Sequence, residues 1–371
     1  MNGTLRFLLF SGLIITPFYV FKSGLPQPAD FILILFSLLA YAHSLSKFSI
    51  LPSKLMPFSW TLMLFWVIFI VLLWSLILFS DRFFKDAIFW IYNYMIASSI
   101  LYVITARIVS IESLRKTIQI ALIISGVGAI VSLGISVRPT GFFNNPNQLA
   151  FYSLCGLAIN QALSRGCILF SPISFAAFIG GVVGIFAAAS LAAMAGFVML
   201  ILAHFIASRN FSLMIKNFFG VATILTILFT VNVPFLTDII SNVQYRFEHA
   251  ERMDKISGMK EERNYDRILA FPEYTVIGAG EAHLERFYPH DNLEIHSSFG
   301  NMLFAYGIVG FVLFITLLYR TTIRSPFAVW FVMAAPMLYS ITHMGLRTTF
   351  FWIFILLVWA YYNKDIIKNA N

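Results

Sequence analysis

Hydrophobic residues in this chain come in long unbroken stretches separated by short polar breaks. The stretch "FSWTLMLFWVIFIVLLWSLILFS" at 58–80 shows the type, with no charge anywhere in it. A helix needs ~20 apolar residues to cross the hydrocarbon core of a bilayer. These stretches lack the in–out alternation of barrel strands, and a helix satisfies its own backbone inside a membrane. The pattern predicts an all-α polytopic membrane protein with twelve spans, at about 5–21, 30–46, 58–80, 87–106, 117–137, 148–164, 172–188, 191–207, 218–234, 297–319, 327–345 and 348–363. Between the seventh and eighth, "IFAAASLAAMAG" reads as a tight turn, although one long bent helix fits the same letters. The run at 5–21 lacks a small-residue cleavage site and leads directly into further spans, so it reads as a retained helix and not a secretory signal.

Lys and Arg in short loops collect on the cytoplasmic side of a membrane, and their distribution orients the chain. With the N-terminus inside, thirteen lie in cytoplasmic loops and tails and five (Lys22, Arg82, Lys85, Arg138, Arg347) in short external loops. The remaining seven fall in one long external loop, 236–295, and long loops cross largely regardless of charge. Both termini are therefore expected in the cytoplasm. The long loop holds 12 of the 17 acidic residues and, with His296 at its end, four of the seven histidines. Its section "NVQYRFEHAERMDKISGMKEERNYDRILAF" reads as one or two amphipathic surface helices, within a single membrane domain covering 1–371.

Composition agrees: 59% of residues are hydrophobic and 11% charged, against roughly 25% charged in soluble domains. The net charge of +8 is accounted for by membrane sidedness, so it does not indicate a nucleic-acid partner. Cys155 and Cys167 match no metal spacing, and a disulfide is not expected with Cys167 on the cytoplasmic side. Signatures for nucleotide binding, serine hydrolysis and zinc proteolysis are absent, and no cofactor or metal is expected. Asp30, Asp81 and Asp86 all fall at span ends, which weighs against an ion-coupled transporter, where intramembrane charge marks the path.

Two external stretches invite chemistry. In "RPTGFFNNPNQLAFYSLC" (138–155), Pro139 and Pro146 hold the chain extended or turned, Gly141 supplies a turn, and Asn147 is placed to cap the next helix. A helix break with a cap and a ligand-binding mouth fit this stretch equally well. In "EIHSSFGNMLFAYGIVGFVLF" (294–314), His296 ends the long loop, Ser297 or Ser298 is placed to cap the tenth span, and Gly307 lies three turns in. Arg267 precedes "ILAFPEYTVIGAG" in the same solvated loop.

The segment "RPTGFFNNPN", Arg267 followed by "PEYTVIGAG", and the His-x10-Gly spacing of His296 and Gly307 occur in that order on the expected outer side. Together they resemble the O-antigen ligase and O-antigen polymerase superfamily over about residues 117–320. The resemblance implies a GT-C-like membrane glycosyltransferase of the bacterial inner membrane acting on glycans carried by undecaprenyl diphosphate. It also implies that Arg267 binds the donor diphosphate and that His296 acts at the acceptor hydroxyl. Those residue types suit the chemistry. A guanidinium stays ionised and grips phosphate with two donors, and a histidine accepts a proton near neutral pH. Arg138, Asn145, Asn147 and Arg347 are further substrate-binding candidates, and a chain-length regulator is a possible partner.

One departure stands out. Many members carry Ser-Arg at the turn where this chain has Ser190-Leu191, so a phosphate-binding arginine is missing, with Arg347 a candidate substitute. The first reading is a polymerase of O-antigen or exopolysaccharide repeat units. A ligase transferring glycan to lipid A–core and a non-enzymatic flippase of lipid-linked glycans are the alternatives.

Overall fold

The computed structural model describes residues 1–22, 24–47, 51–133, 138–169, 171–208, 240–245, 248, 264–291 and 294–363. Among them there is helix and loop and no strand. The long helices are α1 (Asn2–Ile15), α2 (Pro28–Ser46), α3 (Phe58–Ile77), α4 (Phe84–Thr105), α5 (Ile111–Ser132), α6 (Pro146–Ala162), α7 (Pro172–Ala187), α8 (Leu191–Ala207), α9 (Ser298–Thr322), α10 (Phe327–Thr342) and α11 (Thr349–Tyr362). Five of them, α2, α3, α4, α5 and α9, are long and apolar enough to cross a membrane. Another five, α1, α7, α8, α10 and α11, are shorter and apolar. These helices coincide with eleven of the expected elements. The expected element at 218–234 and most of the amphipathic section after 245 lie outside the described residues.

Local chemistry sets the helix ends. The first helix stops at Ile15 and not near 21: Thr16 keeps helical backbone and still donates to the Gly12 carbonyl, but Pro17 has no N–H to carry the ladder on. Proline occupies the first turn of α2, α6 and α7, where its missing N–H has no helical partner to lose. Between α7 and α8 the chain reverses through Ala188, Ala189 (φ 48°) and Ser190, so the tight turn is found and the single bent helix is not.

Buried positions cover most of α6 and α11, which form the centre of the bundle, while α3 turns Phe58, Phe65 and Phe69 outward. Around that centre, α5 and α7 approach closely: a Cβ on Gly126 would lie 2.4 Å from the Cα of Gly180. Small residues at such a crossing let backbones touch, which is how helices associate without a hydrophobic driving force between them.

The helices run alternately up and down, so their ends gather on two faces. One carries the turns at 16–27, 78–83, 138–145, 188–190 and 343–348 together with the segment 264–297, and is called the loop face. Contacts such as His283 to Ser80, Asn144 to the Phe21 carbonyl and Arg138 to the Ala188 carbonyl tie it together. On the opposite face Arg6 meets the Ile108 carbonyl, Arg115 meets Ser164, and Tyr362 meets the Ala162 carbonyl.

Candidate functional site

The organising feature of the loop face is a break in α9. Gly307 sits at φ 68°, ψ −176° inside that helix, a backbone conformation open only to glycine. The break frees the carbonyls that precede it, and each finds a donor from elsewhere. Ala279 N–H donates to Phe304 O and Gly280 N–H to Ala305 O, both at 2.8 Å. The Trp66 indole donates to Tyr306 O at 2.6 Å, and the Trp74 indole donates to Gly278 O at 2.8 Å. The fit is close on both sides: a Cβ on Gly278 would lie 2.6 Å from Ala305 O, and one on Gly307 would lie 2.5 Å from the Ile277 carbonyl. The Gly-x-Gly segment and the glycine of the His-x10-Gly spacing thus form one interlocked unit. At membrane depth an unpaired carbonyl costs several kcal/mol, so the loop is part of the helix's hydrogen bonding.

Next to this unit, Arg347 is held between two carboxylates. It donates to Glu281 at 2.7 Å and also pairs with Glu294. Burial works against its charge, but Glu281 and Glu294 outweigh it and raise its pKa above the ordinary arginine value. Glu281 also accepts from Asn301 Nδ2 and from the Tyr306 hydroxyl, each at 2.9 Å. Arg347 is therefore a cation clamped by two carboxylates, with its side chain still partly open to solvent.

Arg267 differs from the expectation of a solvated side chain. It is 1% exposed. Its Nε donates to the His290 carbonyl at 2.7 Å, and its guanidinium lies 5.5 Å from the Phe287 ring centre. Burial lowers its pKa, opposed by Asp266, Asp291 and Glu294. His290 in turn pairs with Asp266 at 2.6 Å. A small apolar cluster of Ala279, Phe287, Ile295 and Phe304 folds the loop onto α9, and Arg267 packs on its Phe287 member.

His296 is half-buried, directly before Ser297, which caps α9 by accepting from Gly300 N–H at 3.1 Å. Beside it, Ser298 donates its hydroxyl and its N–H to the His343 carbonyl at 3.0 and 3.2 Å. The His343 ring stacks on Tyr339 at 4.5 Å, and Tyr339 donates to the Asn147 carbonyl at 3.1 Å. This chain of contacts links the end of the long loop to the segment at 138–147.

In that segment the helix cap is Asn145 and not Asn147: the Asn145 side chain accepts from Asn147 N–H at 2.8 Å, and Pro146 opens α6. The Asn147 side chain is thereby released to accept from Arg138 at 3.0 Å. Arg138 also donates twice to the Ala188 carbonyl, at 3.2 and 3.1 Å. That carbonyl belongs to the α7–α8 turn, where the Ser190 hydroxyl is buried without a hydrogen-bond partner. A guanidinium from one loop thus reaches the turn that carries Ser190-Leu191.

The structure brings every expected site residue to the loop face and ties Arg138 to Asn147 directly. Glu281, Glu294 and Tyr339 are site residues that the sequence did not single out, and of the two cap candidates Ser297 is the cap while Ser298 bonds the His343 carbonyl. Glu281 had one usable signal, its place immediately after the Gly-x-Gly. A cavity of about 800 Å³ opens on the opposite face, lined in part by Met1, His43, Lys47 and Tyr102, and touches none of these residues. Cys155 and Cys167 are both free thiols. Compared with known proteins, the chain matches no family model and no curated protein.

Proposed function

We propose that the protein is a bacterial inner-membrane glycosyltransferase that joins oligosaccharide repeat units carried on undecaprenyl diphosphate, as an O-antigen or exopolysaccharide polymerase. In this reading the chain crosses the membrane twelve times in a GT-C-like arrangement, both termini are cytoplasmic, and the loop face is periplasmic. The observation that carries it is the interlock of Gly278-Ala279-Gly280 with the break at Gly307. It joins two of the three segments on which the superfamily resemblance rests, and the third, 138–147, lies on the same face.

Transfer breaks the bond between an anomeric carbon and a diphosphate oxygen and forms one to an acceptor hydroxyl. Charge grows on the leaving diphosphate, and guanidinium donors meet it best where water is scarce. Arg267 takes this role, already desolvated. Arg138 supplies from another loop the cation that Ser190-Leu191 lacks, with Asn145 and Asn147 fixing its loop. Arg347 joins by exchanging Glu281 or Glu294 for phosphate. His296 receives the acceptor hydroxyl's proton.

The test is elongation by the purified chain in lipid, using synthetic undecaprenyl-diphosphate repeat units. A ladder of products spaced by one repeat is expected. Unchanged substrate, or transfer only to added lipid A–core, overturns polymerisation.

A further inference from the structure

A different group of side chains sits at the turn joining α3 to α4, apart from all the residues assigned above. The Ser80 hydroxyl oxygen lies 2.6 Å from His283 Nε2, and His283 Nδ1 lies 2.7 Å from Glu285 Oε1. The carboxylate fixes the tautomer: Nδ1 carries the proton and donates it to Glu285, which leaves the lone pair of Nε2 facing the serine O–H. Glu285 is held ionised, its pKa lowered by its own backbone N–H and by His283. His283 takes the left-handed conformation, φ 57°. Its ring lies 5.3 Å from that of Phe83. Strained non-glycine backbone of this kind persists only where surrounding contacts enforce it, and it gathers at working sites.

A nucleophile, a base and a group that orients the base, each within hydrogen-bond reach of the next, are the parts that acyl transfer needs. The fourth part is a donor for the oxyanion. Among the described residues the N–H of Asp81, directly after Ser80, has no hydrogen-bond partner. The N–H following a nucleophilic serine is the group that commonly meets this charge. The Arg82 N–H, one residue on, donates to the Ser80 oxygen at 3.3 Å. The surroundings are apolar and open, with Leu76 and Ile77 exposed at the end of α3 and Phe79 95% exposed.

We propose that Ser80, His283 and Glu285 form an esterase site for apolar acyl esters presented at the membrane surface of the loop face. The Ser80 oxygen attacks the ester carbonyl carbon and its proton passes to His283 Nε2. The carbon–oxygen bond to the alcohol breaks, and the alcohol leaves with that proton. Water then attacks the acyl-serine, giving a proton to His283. The Ser80 oxygen recovers it as the carboxylic acid departs. Ser80 and His283 are the catalytic residues and Glu285 is a positioning residue. This activity is independent of glycosyl transfer.

The experiment treats the purified full chain with a fluorophosphonate and maps the adduct by mass spectrometry, alongside hydrolysis of p-nitrophenyl butyrate. A stoichiometric adduct on Ser80 is expected in the wild type. It should vanish in Ser80→Ala and His283→Gln with thermal unfolding unchanged, and butyrate hydrolysis should fall to background in both. Removing a buried triad carboxylate slows catalysis ~10⁴-fold. Glu285 is 60% exposed on its side chain, so Glu285→Gln should slow labelling only about tenfold, with the remainder screened by water. An unlabelled Ser80 in folded wild-type protein, in a sample where an added soluble serine hydrolase reacts, overturns the proposal. So does labelling of His283→Gln at the wild-type rate. Should Ser80→Ala fail to fold, the mapped position of the wild-type adduct and the His283→Gln rate decide the matter.

Discussion

Replacing Gly307 by alanine attacks the interlock at its tightest point. The new Cβ would lie 2.5 Å from the backbone carbonyl of Ile277, which is not a flexible side chain that moves aside. Two outcomes are open to the chain. If the break is kept, a non-glycine residue at φ 68° costs about 1–3 kcal/mol before the clash is counted. If α9 straightens, the loop is expelled and three acceptors, Phe304 O, Ala305 O and Tyr306 O, lose their donors. At about 0.5–1.5 kcal/mol each, that loss is partly offset by restored helical bonds. Both routes lead to destabilisation of roughly 2–4 kcal/mol. Reversible unfolding in mixed micelles, followed by tryptophan fluorescence, measures it, and Trp66 and Trp74 report directly because their indoles bond within the unit. Gly3→Ala is the control, since a Cβ there meets nothing within 4 Å. If Gly307→Ala unfolds within about 0.5 kcal/mol of wild type, the carbonyls before Gly307 are not held by the loop.

His296→Ala should reduce elongation by roughly 10²- to 10⁴-fold in the purified assay, while the protein still inserts and lipid-linked substrate accumulates. His283→Ala and His290→Ala serve as controls that retain elongation, and a His296→Ala protein elongating at the wild-type rate removes the base assignment. Arg267→Lys should lose most elongation, because an ammonium lacks the two-pronged fork. Since the side chain is buried, its folded yield should drop as well, so activity is compared per folded molecule, and full specific activity would demote Arg267 to a packing residue. A cysteine placed at His290 should react with an impermeant maleimide in intact spheroplasts, and labelling that requires permeabilised membranes would reverse the orientation.

What could be read from the sequence was mainly local. Helix limits follow from apolar runs ended by proline and polar residues, and most were placed within a few residues. The end of α1 differs from the expected one because apolar letters continue past Pro17, although a proline has no N–H to extend the helical ladder. The cap was expected at Asn147 and is Asn145, two residues earlier on the other side of Pro146. Arg267 differs for another reason: a charged letter in a charged loop gives no hint that the Phe287 ring, 20 positions later, will pack against it. Arg347 and its carboxylates are likewise far apart in the chain, and nothing in the spacing of Glu281, Glu294 and Arg347 announces a clamp. Gly307 was visible as a glycine in a span. Its use as a break depended on donors from residues 279 and 280, which no helical period encodes.

The sharing of hydrogen bonds between α9 and the segment before it sets a rule for anyone recombining such chains. In a chimera, residues 271–281 and 298–310 are one cassette. Transplanting the helix alone imports a cleft with three bare acceptors, and transplanting the loop alone leaves its donors facing a closed, straight helix. Shuffled libraries whose crossovers fall between these two stretches should therefore be depleted of folded members, while crossovers on either side of the pair survive.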